Sequence, residues 1–128
     1  MDYFFAKTVD YPVAIAVEKI TNHLKQHGFG ILTQIDVQKT LKDKIDFEFR
    51  PYIILGACNP NFAKEALTHE RRLGLMLPCN VIVQQTEDGR TEIAAINPER
   101  TIQTIGNEKL AEISTKVKEV MQSMINSL

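Results

Sequence analysis

Apolar and polar residues follow two periods along this chain, and the places where one period gives way to the other mark its elements. Tyr3 to Val9 is rich in aromatic and β-branched residues and reads as a strand. Pro12 suits the first turn of a helix; Val13, Val17, Ile20 and Leu24 then recur at helical spacing until Gly28 stops them. Phe29 to Val37 alternates in part and reads as a second strand. Gln38 to Phe49 is polar, with Leu41 and Ile45 able to form one face of a short helix. Tyr52 to Ala57 is a compact apolar run, predicted as a strand buried on both faces.

Asn59-Pro60 opens the next helix with a capping residue and a proline at the first helical position. Phe62, Ala66, His69 and Leu73 share one apolar face of that helix, and Gly74 ends it. Cys79 to Gln85 alternates as a strand, Glu87-Asp88-Gly89-Arg90 is a hairpin turn, and Thr91 to Asn97 returns as the partner strand. Pro98 and Gly106 bracket an irregular connection before the last helix, whose stripe runs Leu110, Ile113, Val117, Val120, Met124. The order is β, α, β, optional short α, β, α, β, β, α, which predicts an α+β sheet covered by helices. A chain of 128 residues is expected to form a single domain over residues 1–128, with core enough to need no disulfide or metal.

The formal net charge is −1, with acidic and basic residues interleaved as in Lys39 to Glu48, so the clustered basic excess of a nucleic-acid binder is missing. Met1-Asp2-Tyr3 does not open a basic and then apolar leader. The longest apolar runs, Val13 to Val17 and Ile53 to Cys58, are too short to span a bilayer. The expectation is a cytoplasmic protein with no membrane and no nucleic-acid partner, whose two cysteines are free thiols.

The phrase Tyr52-Ile53-Ile54-Leu55-Gly56-Ala57-Cys58-Asn59-Pro60, followed by Ala63, Ala66, Leu67 and then Leu77-Pro78-Cys79-Asn80-Val81, resembles the family known as domain of unknown function 302. Ile96-Asn97-Pro98 is similar to that family's hydrophobic-Asx-Pro step. The resemblance covers most of the chain. It implies a mainly antiparallel five-stranded sheet with helices packed on it, similar to one repeat of the TATA-binding-protein fold, and it implies a homodimer. It carries no catalytic residues, and likeness to a DNA-binding topology does not imply DNA binding, because function lives in sites.

Candidate chemistry centres on two phrases that share Cys-Asn, Gly56-Ala57-Cys58-Asn59-Pro60 and Leu77-Pro78-Cys79-Asn80-Val81. Cys58 lies just before a helix N-terminus, where a thiolate is favoured. It could equally be a small residue packed where strand meets helix. Cys79 follows Pro78 at the start of a strand. If the strands at Tyr52 and Cys79 were parallel, the thiols would lie at opposite ends, more than about 15 Å apart. If antiparallel, they share an end, and a thiol pair within the roughly 7 Å between Cα atoms that a disulfide needs becomes possible.

A metal site within one subunit is not expected. No Cys-x-x-Cys occurs, and His69 should lie roughly 13 Å along its helix from the start at Pro60, too far to join Cys58 easily. His23 and His27, four apart, read as a solvated helix end. His69 reads as a core or interface histidine, with ligand contact as its functional alternative. No hydrolase, kinase or dinucleotide-binding signature is present.

The leading expectation is therefore a small homodimeric binding module. Its cleft would lie near Cys58, Asn59, Pro60, Cys79 and Asn80, with His69 as a further candidate, and it would take a small-molecule ligand; no cofactor is indicated. The alternatives are a thiol-based redox, sulfur-transfer or soft-metal protein, and an interaction subunit that presents its last helix to a partner.

Overall fold

The computed structural model describes residues 2–128 and shows an α+β fold built on one five-stranded antiparallel sheet. Its elements are β1 (Phe4–Val9), α1 (Val13–Lys25), β2 (Gly30–Asp36), α2 (Val37–Ile45), β3 (Tyr52–Cys58), α3 (Pro60–His69), β4 (Cys79–Gln85), β5 (Thr91–Ile96), α4 (Pro98–Ile102) and α5 (Ala111–Ser127). Short 3-10 turns at Leu73–Met76, Gln103–Ile105 and Glu108–Leu110 join them. The sheet order is β1-β5-β4-β3-β2, and every neighbouring pair is antiparallel. No helix is long and apolar enough to cross a membrane among the described residues.

The pleat gives the sheet two unlike faces. Leu55, Ala57, Val81, Val83, Ile93 and Ala95 alternate onto one face and are buried under α1 and α5, against Ile20, Leu24, Met121 and Met124. The stripe of α5 is therefore spent on the chain's own sheet, with Val120 half-buried at its margin. That leaves no apolar stripe on the last helix for a partner. α2 adjoins β2 and β3 but buries none of its own side chains, and the cross-strand rows of the other face follow from the register. One row runs Ile35, Ile54, Ile82, Ala94, Ala6. Ile54 is only half-buried, so β3 is not enclosed on both sides as its apolar run suggested. An unbroken apolar run reports low polarity and cannot by itself tell a buried second face from a half-open one.

Two other expectations change. α3 stops at His69 because Glu70 is extended (φ −141, ψ 106), and Leu73 reaches the core from a separate 3-10 turn. His69 is consequently exposed, not a core residue, although helical spacing placed it on the apolar face. The connection after Pro98 is partly regular: Asn97 caps the short helix α4, with Pro98 in its first turn. Elsewhere the local signals act as read. Asp36 accepts a hydrogen bond from Lys39 N at 3.0 Å to start α2, and Gly89 takes the left-handed backbone (φ 82) of the β4–β5 hairpin.

Gly56 is the one strand glycine whose missing side chain is filled by neighbours. A β-carbon there would lie 2.6 Å from Pro78 Cγ and would also collide with Thr33 Oγ1. Pro78, which follows a cis peptide bond, therefore packs flat on β3. Gly56→Ala is expected to destabilise the fold by about 1–3 kcal/mol, because the proline ring cannot give way as a flexible chain would; the shift in the urea unfolding midpoint measures it.

Candidate functional site

The strand ends that carry the Cys-Asn and Asn-Pro phrases all meet at one end of the sheet. β3 and β5 finish there, and β4 starts there. Asn59 follows β3 and caps α3: its Oδ1 accepts from Asn61 N at 3.0 Å and Phe62 N at 3.3 Å, while its Nδ2 donates to His27 O at 3.4 Å. Gly28 (φ +77) makes that approach possible, since a β-carbon there would sit 3.1 Å from Asn59 Nδ2. Asn97 follows β5 in the same way. It is fully buried, accepts from Glu99 N at 3.2 Å and donates to Asp2 O at 3.3 Å. Asn107 repeats the device at the turn before α5, accepting from Lys109 N at 3.0 Å and donating to His69 O at 3.0 Å.

These clamps place a cleft of about 320 Å³ at the start of β4. One wall is the segment Leu75, Met76, Leu77 and Pro78, and the opposite wall is Ile96, Pro98, Thr101 and Ile102. Leu73 lies fully buried beneath, while Leu75 (87% exposed) and Met76 (43%) stand at the rim. The polar residues of the lining are Cys79, Asn80 and Thr101, whose hydroxyl donates to Pro98 O at 3.1 Å. None of the lining residues carries a charge at neutral pH. A larger hollow of about 430 Å³ between α4 and α5 differs in character, its lining carrying the charged residues Glu99, Arg100 and Glu108. Glu99 accepts from Thr115 Oγ1 at 2.9 Å and Lys118 Nζ at 3.1 Å, and those two bonds hold its carboxyl below the usual range.

Of the residues singled out from the sequence, Cys79 and Asn80 line the cleft. Cys58 lies at the end of β3, paired with Gly30; Asn59 and Pro60 are spent on starting α3; His69 is at the exposed end of that helix. The cleft's other walls were not singled out. Leu75-Met76-Leu77 is a bare apolar run in the sequence, and Thr101 and Ile102 lie on a helix of 5 residues that is too short for a period.

β3 and β4 are antiparallel, so both thiols are at the same end of the sheet. They do not pair. Cys79 is opposite Ala57, one residue before Cys58, so the pleat sends Cys58 to the open face with Gly56 and Cys79 to the helix-covered face with Val81. Burial pushes the Cys79 thiol up to about 11, with the nearby Cys58 adding to it, and burial also raises Cys58. At neutral pH both are neutral thiols, and the helix N-terminus beyond Asn59 does not make Cys58 a ready thiolate. Maleimide labelling at pH 7 should modify Cys79 on the order of a hundredfold more slowly than a free cysteine, in line with its smaller thiolate fraction. Site-resolved mass spectrometry checks this; labelling at the free-thiol rate would remove the argument from burial.

His23 and His27 form a separate cluster where α1 meets the end of α5. Their rings stack at 4.8 Å, and His23 Nδ1 lies 3.1 Å from Ser127 Oγ. His23 Nε2 is buried with no hydrogen-bond partner among the described residues. Burial, and then the charge of His27, hold the His23 pKa below its ordinary 6.5. The unfolded chain therefore takes up this proton more readily than the folded one. The contribution is full above the unfolded pKa near 6.5 and is lost as pH falls through the folded value. The urea midpoint should drop between about pH 7 and pH 5, and drop less in His23→Gln.

Comparison with known proteins places the chain in context. The model of a family described as Domain of unknown function DUF302 matches residues 5–128. The crystal structure of an uncharacterized conserved protein DUF302 from Bacillus stearothermophilus is similar to the chain, with a TM-score of 0.91 and 28% identity over 98% of each chain. Comparison with curated proteins finds no match.

Proposed function

Because the chain belongs to the DUF302 family, a domain of unknown function, we propose its role from its own cleft: a small binding module that takes an uncharged, mainly apolar small molecule beside Pro78–Asn80. The observation that carries this reading is the lining. A hollow of about 320 Å³ falls within the range of small-ligand sites, about 300–1,000 Å³. It joins apolar walls to three uncharged polar residues, Cys79, Asn80 and Thr101, the composition of a site that takes a neutral ligand. Leu75 and Met76 at the rim are apolar surface that the fold itself does not use. The working unit in this reading is a cytoplasmic homodimer that binds no nucleic acid, in keeping with free thiols and a near-zero net charge. Thiol redox or sulfur transfer is the weaker reading, since burial holds both thiols in the protonated form.

The test is a fluorescence titration with the neutral apolar dye N-phenyl-1-naphthylamine. Saturable binding is expected in the native protein. Thr101→Trp, which fills the cleft from one wall, should weaken it at least about tenfold while the circular dichroism spectrum is unchanged. Equal binding by that variant, or no saturable binding by the native protein, would overturn the cleft assignment.

A further inference from the structure

The turn that walls the cleft holds the most exposed large apolar side chain among the described residues. Leu75 is 87% exposed and its neighbour Met76 43%, while Leu73, two residues before Leu75, is buried. All three belong to the 3-10 turn Leu73–Met76. Leu73 anchors the turn in the core, and Pro78 beyond it lies flat on Gly56. The exposed pair therefore stands on a fixed tip. A lone exposed leucine is ordinary. Two adjacent apolar side chains at the rim of an apolar cleft make a continuous patch, and such a patch marks an interaction site.

The free charges beside the tip are mainly positive. Arg71 and Arg72 come immediately before it, both exposed. Leu75 N donates to Arg72 O at 3.0 Å, and residues three apart in a 3-10 turn stand on one side of it, so Arg72 and Leu75 project together. Arg100, also exposed, belongs to α4, which supplies the opposite wall through Thr101 and Ile102. None of these arginines is in an ion pair among the described residues, whereas Lys39, Lys42, Arg90, Lys116 and Lys118 all are. The carboxylates nearby in the chain are engaged or placed elsewhere. Glu70 accepts from Arg72 N at 3.1 Å, and Glu99 is paired with Lys118. Glu65 is next to Lys64 on α3, and Glu108 lines the separate hollow between α4 and α5. After Arg72 no acidic residue occurs until Glu87, in the hairpin at the far end of β4.

We infer that this tip docks the chain on an anionic bilayer surface. Leu75 and Met76 enter the acyl boundary, and Arg71, Arg72 and Arg100 meet the lipid phosphates. Apolar insertion combined with attraction to anionic headgroups holds proteins to membranes without a spanning segment. No helix long and apolar enough to cross a membrane occurs among the described residues, and docking of this kind needs none. Other partners fit the tip less well. Two side chains fall far short of the roughly 800 Å² that each side of a standard protein interface buries. Single-stranded nucleic acid stacks its bases on aromatic rings, and the turn Leu73–Met76 has none. So small an apolar area makes the attachment weak and reversible. Docking sets the mouth of the cleft at the acyl boundary, where a neutral apolar ligand concentrates; that consequence rests on the cleft reading, whereas the docking itself does not.

Co-sedimentation with lipid vesicles tests the docking. The native chain should bind vesicles that contain phosphatidylglycerol at least about fivefold more tightly than vesicles of phosphatidylcholine alone, and Arg71→Gln with Arg72→Gln should reduce that preference. Leu75→Ser with Met76→Ser should weaken binding at least about tenfold. Its urea midpoint should match that of the native chain, because both side chains are exposed. The chain has no tryptophan, so Leu75→Trp supplies a single fluorescent reporter. Its emission should move to shorter wavelength on adding vesicles and be quenched by brominated acyl chains, while Ile15→Trp, at an exposed position on α1, should show neither change. Absence of vesicle binding by the native chain overturns the docking, as does equal binding by the Leu75→Ser, Met76→Ser variant. The cleft reading fails separately. Saturable binding of N-phenyl-1-naphthylamine without vesicle binding overturns the docking and leaves the cleft; vesicle binding without dye binding overturns the cleft and leaves the docking.

Discussion

Asparagine side chains hold together the end of the sheet on which everything else is assembled. Each of Asn59, Asn97 and Asn107 uses its carbonyl to cap the helical turn that follows it and its amino group to grip the carbonyl of a different segment, at His27, Asp2 and His69 respectively. One planar amide thus fixes the start of a helix and a tertiary contact together. A cap is worth about 1 kcal/mol, and a buried amide left unpaired costs about 1–3 kcal/mol. Asn97 is under both constraints, being fully buried. Its backbone N also donates to Tyr3 O at 2.7 Å, so it binds the start of β1 to the end of β5 before the chain turns into α4. The cleft inherits its second wall from that turn: without the Asn97 cap there is nothing to aim Pro98, Thr101 and Ile102 back over the start of β4.

The same end of the sheet explains the glycine in β3. Pro78 must lie against the strand for the Leu77–Asn80 corner to form, and Gly56 is where the strand offers no side chain to resist it. The phrase Gly56-Ala57-Cys58-Asn59-Pro60 is then a sequence of structural requirements: a flat spot for a proline, a buried alanine opposite Cys79, a strand-end residue, a cap, and a first-turn proline. That is a sufficient physical account of the motif without chemistry at Cys58.

Most of the fold was legible because the periods are strong. The strands, the hairpin at Asp88-Gly89 and the long α5 stripe each have a local cause that tertiary structure does not override. The errors have causes too. The spacing of Phe62, Ala66, His69 and Leu73 fits one helix, but the chain breaks at Glu70 and delivers Leu73 by another route, so a correct burial prediction for Leu73 came with a wrong one for His69. For the site, the corner Pro78-Cys79-Asn80 was legible and its counterpart was not. The cleft joins residues about twenty apart in sequence across two strands, and no local pattern records which turn will face which. Asn59 was expected both to cap its helix and to border the cleft; its three hydrogen bonds commit the amide to the cap and to His27 O.

The absence of charge from the cleft is itself a consequence of how the neighbouring charges are placed. α4 contributes Thr101 and Ile102 to the wall, yet it also carries Glu99 and Arg100. Glu99 faces α5, where Lys118 and Thr115 hold it in a pair whose side chains are 26% and 24% exposed for Glu99 and Lys118. The cleft's one ionisable group, Cys79, is kept protonated by the core on which it packs. An anion would find no cation in this lining and a cation no carboxylate, so either would give up its hydration without recompense. Selectivity in such a site must come from shape and from two or three hydrogen bonds, which favours a neutral ligand even though charged residues make up 24% of the chain.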